Sequence, residues 1–158
     1  MGIGYVDSVV VYNRYVNGLM ETEQYFGTRF DNVRIELTQG ANQKASGMEN
    51  ASACKVCIPN DKNLPKPYKA PKKWEKLTTA EMLNYFTLDE KEDFFVIVKK
   101  EELGIDENIP VGLVESSEYE GGYFEFCKGE YGYTFSVDEV DSYKNVAGYG
   151  ARWEINGR

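Results

Sequence analysis

Hydrophobic and polar positions alternate with a period of two through the first third of the chain. Val6 to Tyr15 (VDSVVVYNRY) is β-branched and reads as a strand, Asn17-Gly18 is a hairpin turn signal, and Phe30 to Thr38 sets Val33, Ile35 and Leu37 against Arg34, Glu36 and Thr38. Ala53 to Ile58 is a further strand with Cys54, Val56 and Ile58 on one face, ending at Pro59. Between these runs, Gln39 to Ser52 is polar, rich in Gly and Asn and without period, which marks a long loop. Pro59 to Lys73 contains four of the five prolines and is expected to be an extended arm with polyproline II character.

The second half continues in the same mode with one helical interruption. Thr78 and Glu81 form a capping box and Leu77 can staple to Met82, which predicts a short helix over 79–86 with Met82, Leu83 and Phe86 as its apolar stripe. Phe94 to Val98 (FFVIV) is a continuous apolar run bounded by charges, the pattern of a strand covered on both faces. Glu101 to Pro110 is an acidic loop, and Val111 to Ser117 fits no single template. Tyr123 to Cys127, Tyr131 to Val137 and Tyr149 to Ile155 alternate and read as strands, with Gly121-Gly122 and Lys128-Gly129 as turns. The expected fold is therefore all-β: a small antiparallel barrel or sandwich of about seven strands over residues 1–158, with one short helix and a long Pro/Lys-rich arm.

Composition narrows the function classes. A chain of 158 residues can bury roughly two-thirds of the surface it exposes when unfolded, so it needs neither disulfides nor metal for a core. Its net charge of −8 argues against sequence-independent binding of nucleic acid, which requires a basic face. The charge is uneven: residues 59–73 hold five lysines against one aspartate, a local +4 that leaves −12 on the rest. No run approaches the roughly 20 apolar residues of a membrane span, so no membrane partner is expected. The opening MGIGYVDSV lacks the secretory pattern, and three cysteines fit a reducing compartment.

Candidate chemistry is sparse. The chain has no histidine and no recognisable nucleophile motif. Cys54 and Cys57 spell C-x-x-C, yet on a strand they point to opposite faces with Cα atoms about 10 Å apart, beyond disulfide reach, and no second pair completes a tetrahedral metal site. Neither metal nor cofactor is expected. The carboxylates of Asp89 to Asp93 and Glu115 to Glu120 could supply a hydrolytic acid and base, and Tyr119, Tyr123, Tyr131, Tyr133, Tyr143 and Tyr149 could form a sugar-stacking platform. A carboxylate-dependent hydrolase and a glycan-binding β-module are accordingly the two competing readings.

A resemblance points elsewhere. SVVVYNRYVNG at Ser8 to Gly18, YFGTRFDNVRIEL at Tyr25 to Leu37, CKVCIP at Cys54 to Pro59, FFVIVKK at Phe94 to Lys100 and the ending from Phe135 to Arg158 come in an order that resembles the small neck or minor capsid proteins of tailed phages and prophages of gut Firmicutes, the head-closure or head-tail connector group. The resemblance implies a non-enzymatic virion component, assembled in the bacterial host cytoplasm. Such proteins form a homo-oligomeric ring, typically of six copies, between portal or adaptor and tail, through which DNA passes without specific binding. On this reading Gln39, Asn42, Gln43, Lys44, Ser46, Met48 and Asn50 are candidates for a loop facing the lumen. Lys62, Pro65, Lys66, Pro67, Tyr68, Lys69, Pro71, Lys72 and Lys73 are candidates for an inter-subunit arm, whose prolines lower the entropy lost on docking. An acidic body repels a sliding duplex instead of trapping it.

Overall fold

The computed structural model describes residues 4–39, 51–145 and 150–158. Among them eight strands follow in order: β1 (Asp7–Asn17), β2 (Thr22–Gln39), β3 (Ala51–Pro59), β4 (Phe94–Lys100), β5 (Ile105–Asp106), β6 (Gly112–Glu115), β7 (Thr134–Tyr143) and β8 (Arg152–Gly157). Antiparallel pairing of β1 with β2, β2 with β3, β3 with β8, β8 with β7, β7 with β4 and β4 with β1 closes a six-stranded barrel. The remaining two strands lie outside the ring, β5 on β4 and β6 on β2. Closure gives each of the six strands a neighbour on both sides over part of its length, while Asn13–Asn17 of β1 pair with β2 alone and Val137–Tyr143 of β7 with β8 alone.

Period-two alternation sorts the side chains. Val9, Val11, Phe30, Ile35, Val56, Ile58, Phe95, Ile97, Phe135, Val137, Trp153 and Ile155 fill the barrel. The opposite face of β1 and β4 is also covered, because Val10, Tyr12, Phe94, Val96 and Val98 pack with Tyr25, Val114, Tyr123 and Cys127 in a second cluster. That double burial is why VVVY and FFVIV are unbroken apolar runs.

One long strand serves two partners. The first part of β2 pairs with β1 and its last part with β3, and the register against β1 slips where Asp7 opposes Val33 but Val9 opposes Phe30. Asn32 sits in this bulge at φ 58°, a conformation Asn tolerates better than most residues, and the bulge turns the strand around the barrel corner. Asp7 holds the corner: its Oδ2 accepts from Ile35 N at 2.9 Å and from Lys100 Nζ at 3.4 Å, while Lys100 also donates to Ile35 O at 2.8 Å.

Two four-residue helices, α1 (Pro71–Trp74) and α2 (Thr79–Met82), cover one end of the barrel. Trp74 meets Phe26 edge-on at 5.6 Å and Tyr15 at 6.5 Å, and Met82 joins the same cluster. Beside them Phe86 contacts Phe30 and Trp153, and Tyr68 contacts both Phe86 and Trp153. The capping box of α2 forms as the sequence predicts, with Glu81 N donating to Thr78 Oγ1 and Thr78 N to Glu81 Oε1.

Several boundaries differ from expectation. The helix over 79–86 stops at Met82, because Phe86 is needed in the barrel end and bridges to Tyr68 instead. Pro71 to Lys73, expected in the extended arm, open α1 with proline in its first turn, where a missing N–H costs nothing. Tyr123 to Cys127 is not a strand but the start of α3 (Tyr123–Glu130); Gly121 and Gly122 at φ 78° and 94° reverse the chain, and Tyr123 and Cys127, four apart, bury on one side of the helix. The first hairpin closes through four residues, 18–21, with Asn17 Oδ1 accepting from Leu19 N and Glu21 at φ 52°. Strand β7 begins at Thr134, later than expected, and runs on to Tyr143, while β8 covers Arg152 to Gly157.

Glycine packing provides a test. A Cβ on Gly157 would lie 2.6 Å from the Phe95 ring and 2.9 Å from Phe135 Cβ, whereas one on Gly129 in α3 would meet open space. Gly157→Ala is expected to destabilise the fold by about 1–3 kcal/mol and Gly129→Ala to stabilise it by about 0.5–1 kcal/mol, measured by urea unfolding. Equal effects from the two substitutions would contradict this packing.

Candidate functional site

A depression of about 740 Å³ lies on the outer face of the sheet formed by the end of β2 with β3 and β8. Alternation places its lining: since Ile35, Val56 and Ile155 point inward, Arg34 and Glu36, Lys55 and Cys57, and Arg152 and Glu154 point outward. Cross-strand register aligns Arg34 with Cys57 and Cys57 with Glu154, so unlike groups face one another. Arg34 pairs with Glu36, Lys55 reaches Glu154 at 2.9 Å, and Arg152 reaches Glu154 at 3.0 Å. Burial raises the Glu154 carboxyl, but Lys55 and Arg152 together hold it below the usual carboxylate range. Tyr5 shares a 3.3 Å hydrogen bond with Cys57 Sγ, and this bond, together with burial, pushes the phenol above its ordinary value.

These groups satisfy one another. Arg34, Lys55 and Arg152 stand against Glu36, Asp61 and Glu154, so the depression carries both signs in equal number. That arrangement suits a polar partner surface better than a small anion or cation, which would have to displace existing ion pairs.

A second polar group sits under the barrel. Asn13 is fully buried; its Nδ2 donates to Thr87 O at 2.6 Å and to Asp93 Oδ2 at 2.8 Å, while its Oδ1 accepts from Thr87 N. Asp93 also accepts from Arg14 N at 2.8 Å and Asp89 N at 2.9 Å. Burial pushes its carboxyl up to about 7, against the N–H donors that favour the charged form. Glu92 lines the same small hollow of about 220 Å³, where Arg14 donates to it at 2.6 Å and to Glu23 at 2.5 Å. Two carboxylates therefore share a hollow, as the hydrolase reading requires, but Asp93 is engaged by three N–H groups, of which those of Asn13 and Arg14 tie the 87–93 segment to β1. Its role is to hold that crossing in place.

The remaining sequence candidates are dispersed. Tyr123 is buried, its hydroxyl 2.7 Å from that of Tyr12, which donates to Pro110 O. Tyr119 and Tyr131 pack against the same cluster, Tyr133 packs on the barrel core, Tyr143 lies under Arg152, and Tyr149 is outside the described residues. Among the described residues these rings therefore fall in three places: beside α3, where Tyr119 and Tyr131 meet across Phe126, on the barrel core, and beside Arg152. Cys54 and Cys57 do fall on opposite faces of β3; burial pushes the Cys54 thiol up to about 12 and that of Cys127 up to about 11, which keeps both protonated. Among the described residues no group of three metal-ligating side chains converges, and no helix is long and apolar enough to cross a membrane.

Of the lumen candidates, Asn42, Gln43, Lys44, Ser46, Met48 and Asn50 lie outside the described residues, and Gln39 ends β2 opposite Ala51. Of the arm candidates, Lys62, Pro65, Pro67, Lys72 and Lys73 are exposed, Lys66, Lys69 and Pro71 are half-buried, and Tyr68 anchors the segment on Phe86 and Trp153. The segment is also tied by its backbone, with Lys69 N donating to Phe86 O and Phe86 N to Pro67 O. Missing from the sequence reading is the hairpin tip, where Leu19 is 99% and Met20 70% exposed beside Val16 at 47%. Apolar residues directly after an Asn-Gly turn, where polar ones belong, were the available signal.

Residues 5–158 match the model of a family described as a family of unknown function, DUF6751. No curated protein and no solved structure matches the chain.

The Asp93 carboxyl gives a pH test. Its folded value near 7 lies above the unfolded value near 3.8, so the folded state holds the proton more tightly and this group's contribution to stability falls as pH rises from about 4 to about 7. Compared with Asp93→Asn, the wild-type advantage in urea unfolding is expected to shrink between pH 5 and pH 8, the other carboxylates being common to both proteins. An advantage that stays flat or grows over that window would contradict the assignment.

Proposed function

The chain belongs to the DUF6751 family of unknown function, and we propose that it is a structural subunit of a phage head-to-tail junction, a non-enzymatic part that assembles with copies of itself into a ring. The observation that carries this reading is the β1–β2 hairpin tip. Leu19, fully exposed, and Met20, largely exposed, project from the barrel on a loop whose Leu19 N donates to the Asn17 side chain. Hydrating two large apolar side chains costs about 1.5–3 kcal/mol each relative to burial, a cost that contact with a neighbour removes. A closed barrel is a suitable base for such a projection, because the β1–β4 pairing leaves no barrel strand as the free end of an open sheet.

Charge supports the conduit reading. Outside the 59–73 segment the chain carries −12, which disfavours retention of a DNA duplex passing through a ring of such subunits. Portal or adaptor and tail proteins are the partners this position supplies.

Sedimentation velocity and negative-stain microscopy of the purified chain test the proposal. The wild type is expected to form closed rings at micromolar concentration, and the double variant Leu19→Asp, Met20→Asp to remain folded but associate at least about ten-fold more weakly. A wild-type chain that stays monomeric at every concentration, or a double variant that assembles as well as wild type, would overturn it.

A further inference from the structure

Two surface regions carry charges that the folded chain leaves uncompensated. In the first, Lys62, Lys66, Lys69, Lys72, Lys73 and Lys76 lie on one segment running along the end of the barrel, and among the described residues none is within ion-pair distance of a carboxylate. By contrast, Arg14, Arg29, Arg34, Lys55, Lys100, Lys128, Arg152 and Arg158 are all paired. The segment is not free to swing: Tyr68 is wedged on Phe86 and Trp153, and Trp74 is buried against Phe26. It presents Lys62, Lys72, Lys73 and Lys76 exposed from a fixed backbone, with Lys66 and Lys69 half-buried and Lys69 over the Tyr85 ring, so little ordering entropy is lost when the exposed lysines meet a partner.

The second region is the outer face of β7 with the loop before β4. Glu139 and Asp141 stand two apart on the strand, and Glu90 reaches over from the loop, its Oε1 accepting from Val140 N at 3.4 Å. None of these three carboxylates has an ion-pair partner among the described residues, whereas neighbouring Asp138 is paired with Arg158 and Glu92 with Arg14. Crowding is evident at Glu139, which is pushed above the usual carboxylate range by its bond to Asp141 and by the charges of Asp141, Glu90 and Asp138. Lys91, in the same loop, makes no ion pair either among the described residues.

We infer that the lysine segment of one copy seats on the Glu90, Glu139 and Asp141 face of the next, as the head-to-tail contact of the ring. This rests on the ring reading and names the two faces it uses. A head-to-tail contact needs two different, complementary patches on each subunit, and both are present in this chain. A duplex is disfavoured as the occupant of the lysine segment, since the −12 remainder of the chain would be brought beside its phosphates.

Charge reversal tests the contact in the full chain. Lys72→Glu with Lys73→Glu makes one variant, and Glu139→Lys with Asp141→Lys makes the other; Lys72, Lys73 and Glu139 are exposed and Asp141 half-buried, and circular dichroism checks that both variants fold. Each alone is expected to associate about ten-fold or more weakly than wild type, and a one-to-one mixture to recover association, because the reversed segment of one then meets the reversed strand of the other at one interface while wild-type faces meet at the next. Raising salt from about 50 mM to about 500 mM is expected to weaken wild-type assembly. Rings from either variant as stable as wild type, or a mixture that fails to recover, would overturn this contact and leave the ring standing. A monomeric wild type would overturn both. Wild type that binds a short DNA duplex through Lys72 and Lys73 and does not self-associate would assign the segment to a polyanion instead.

Discussion

Everything in this molecule depends on the pairing of β1 with β4, which joins residues 8–12 to residues 94–99 and turns a curled sheet into a closed barrel. That ladder lies between two apolar layers, the barrel interior and the cluster under α3, so its hydrogen bonds are shielded from water on both sides. Buried ladder groups left unpaired would cost about 1–3 kcal/mol each, which makes partial opening of this seam expensive. Asn13 and Asp93 extend the seam beyond its last backbone pair, Tyr12 with Phe94, by linking the end of β1 to the segment that leads into β4.

A rigid closed scaffold separates two kinds of surface. On the β2–β3–β8 face, charges of opposite sign are paired and the thiol of Cys57 is bonded to Tyr5, so the depression there is chemically quiet. At the hairpin tip, the lysine segment and the β7 face, apolar area and charge are left uncompensated. Uncompensated groups on a well-packed scaffold point to contact with another macromolecule more than to chemistry on a small one. This contrast, more than any single pocket, favours an assembly role.

How much was readable from sequence varied with local physics. The strands of the first third were legible because one face of each is buried, so period two is written plainly in Val33, Ile35 and Leu37 and in Cys54, Val56 and Ile58. FFVIV announced its double burial. By contrast, Tyr123 to Cys127 is rich in aromatics and looks like a strand, yet the four-residue spacing of Tyr123 and Cys127 was the pattern the fold used, after Gly121 and Gly122 set the direction. The end of α2 at Met82 could not be read locally, since Phe86 leaves the helix to fill a gap made by Phe30, Tyr68 and Trp153, three residues distant in sequence. The same tertiary demand turned Tyr68 from an arm residue into an anchor. The outer depression was invisible because it arises from register between β2, β3 and β8, which no single run encodes.

The central claim is that a stable barrel presents a few fixed segments for contact with other subunits. Amide hydrogen exchange, compared between dilute and concentrated chain, tests it most directly, because it reports each segment separately. The account requires new protection at high concentration in the 18–21 tip, the 62–76 segment and the outer residues of β7, with β1 and β4 the most protected amides under both conditions. Protection that does not change with concentration, or that appears instead around the β2–β3–β8 depression, would contradict it.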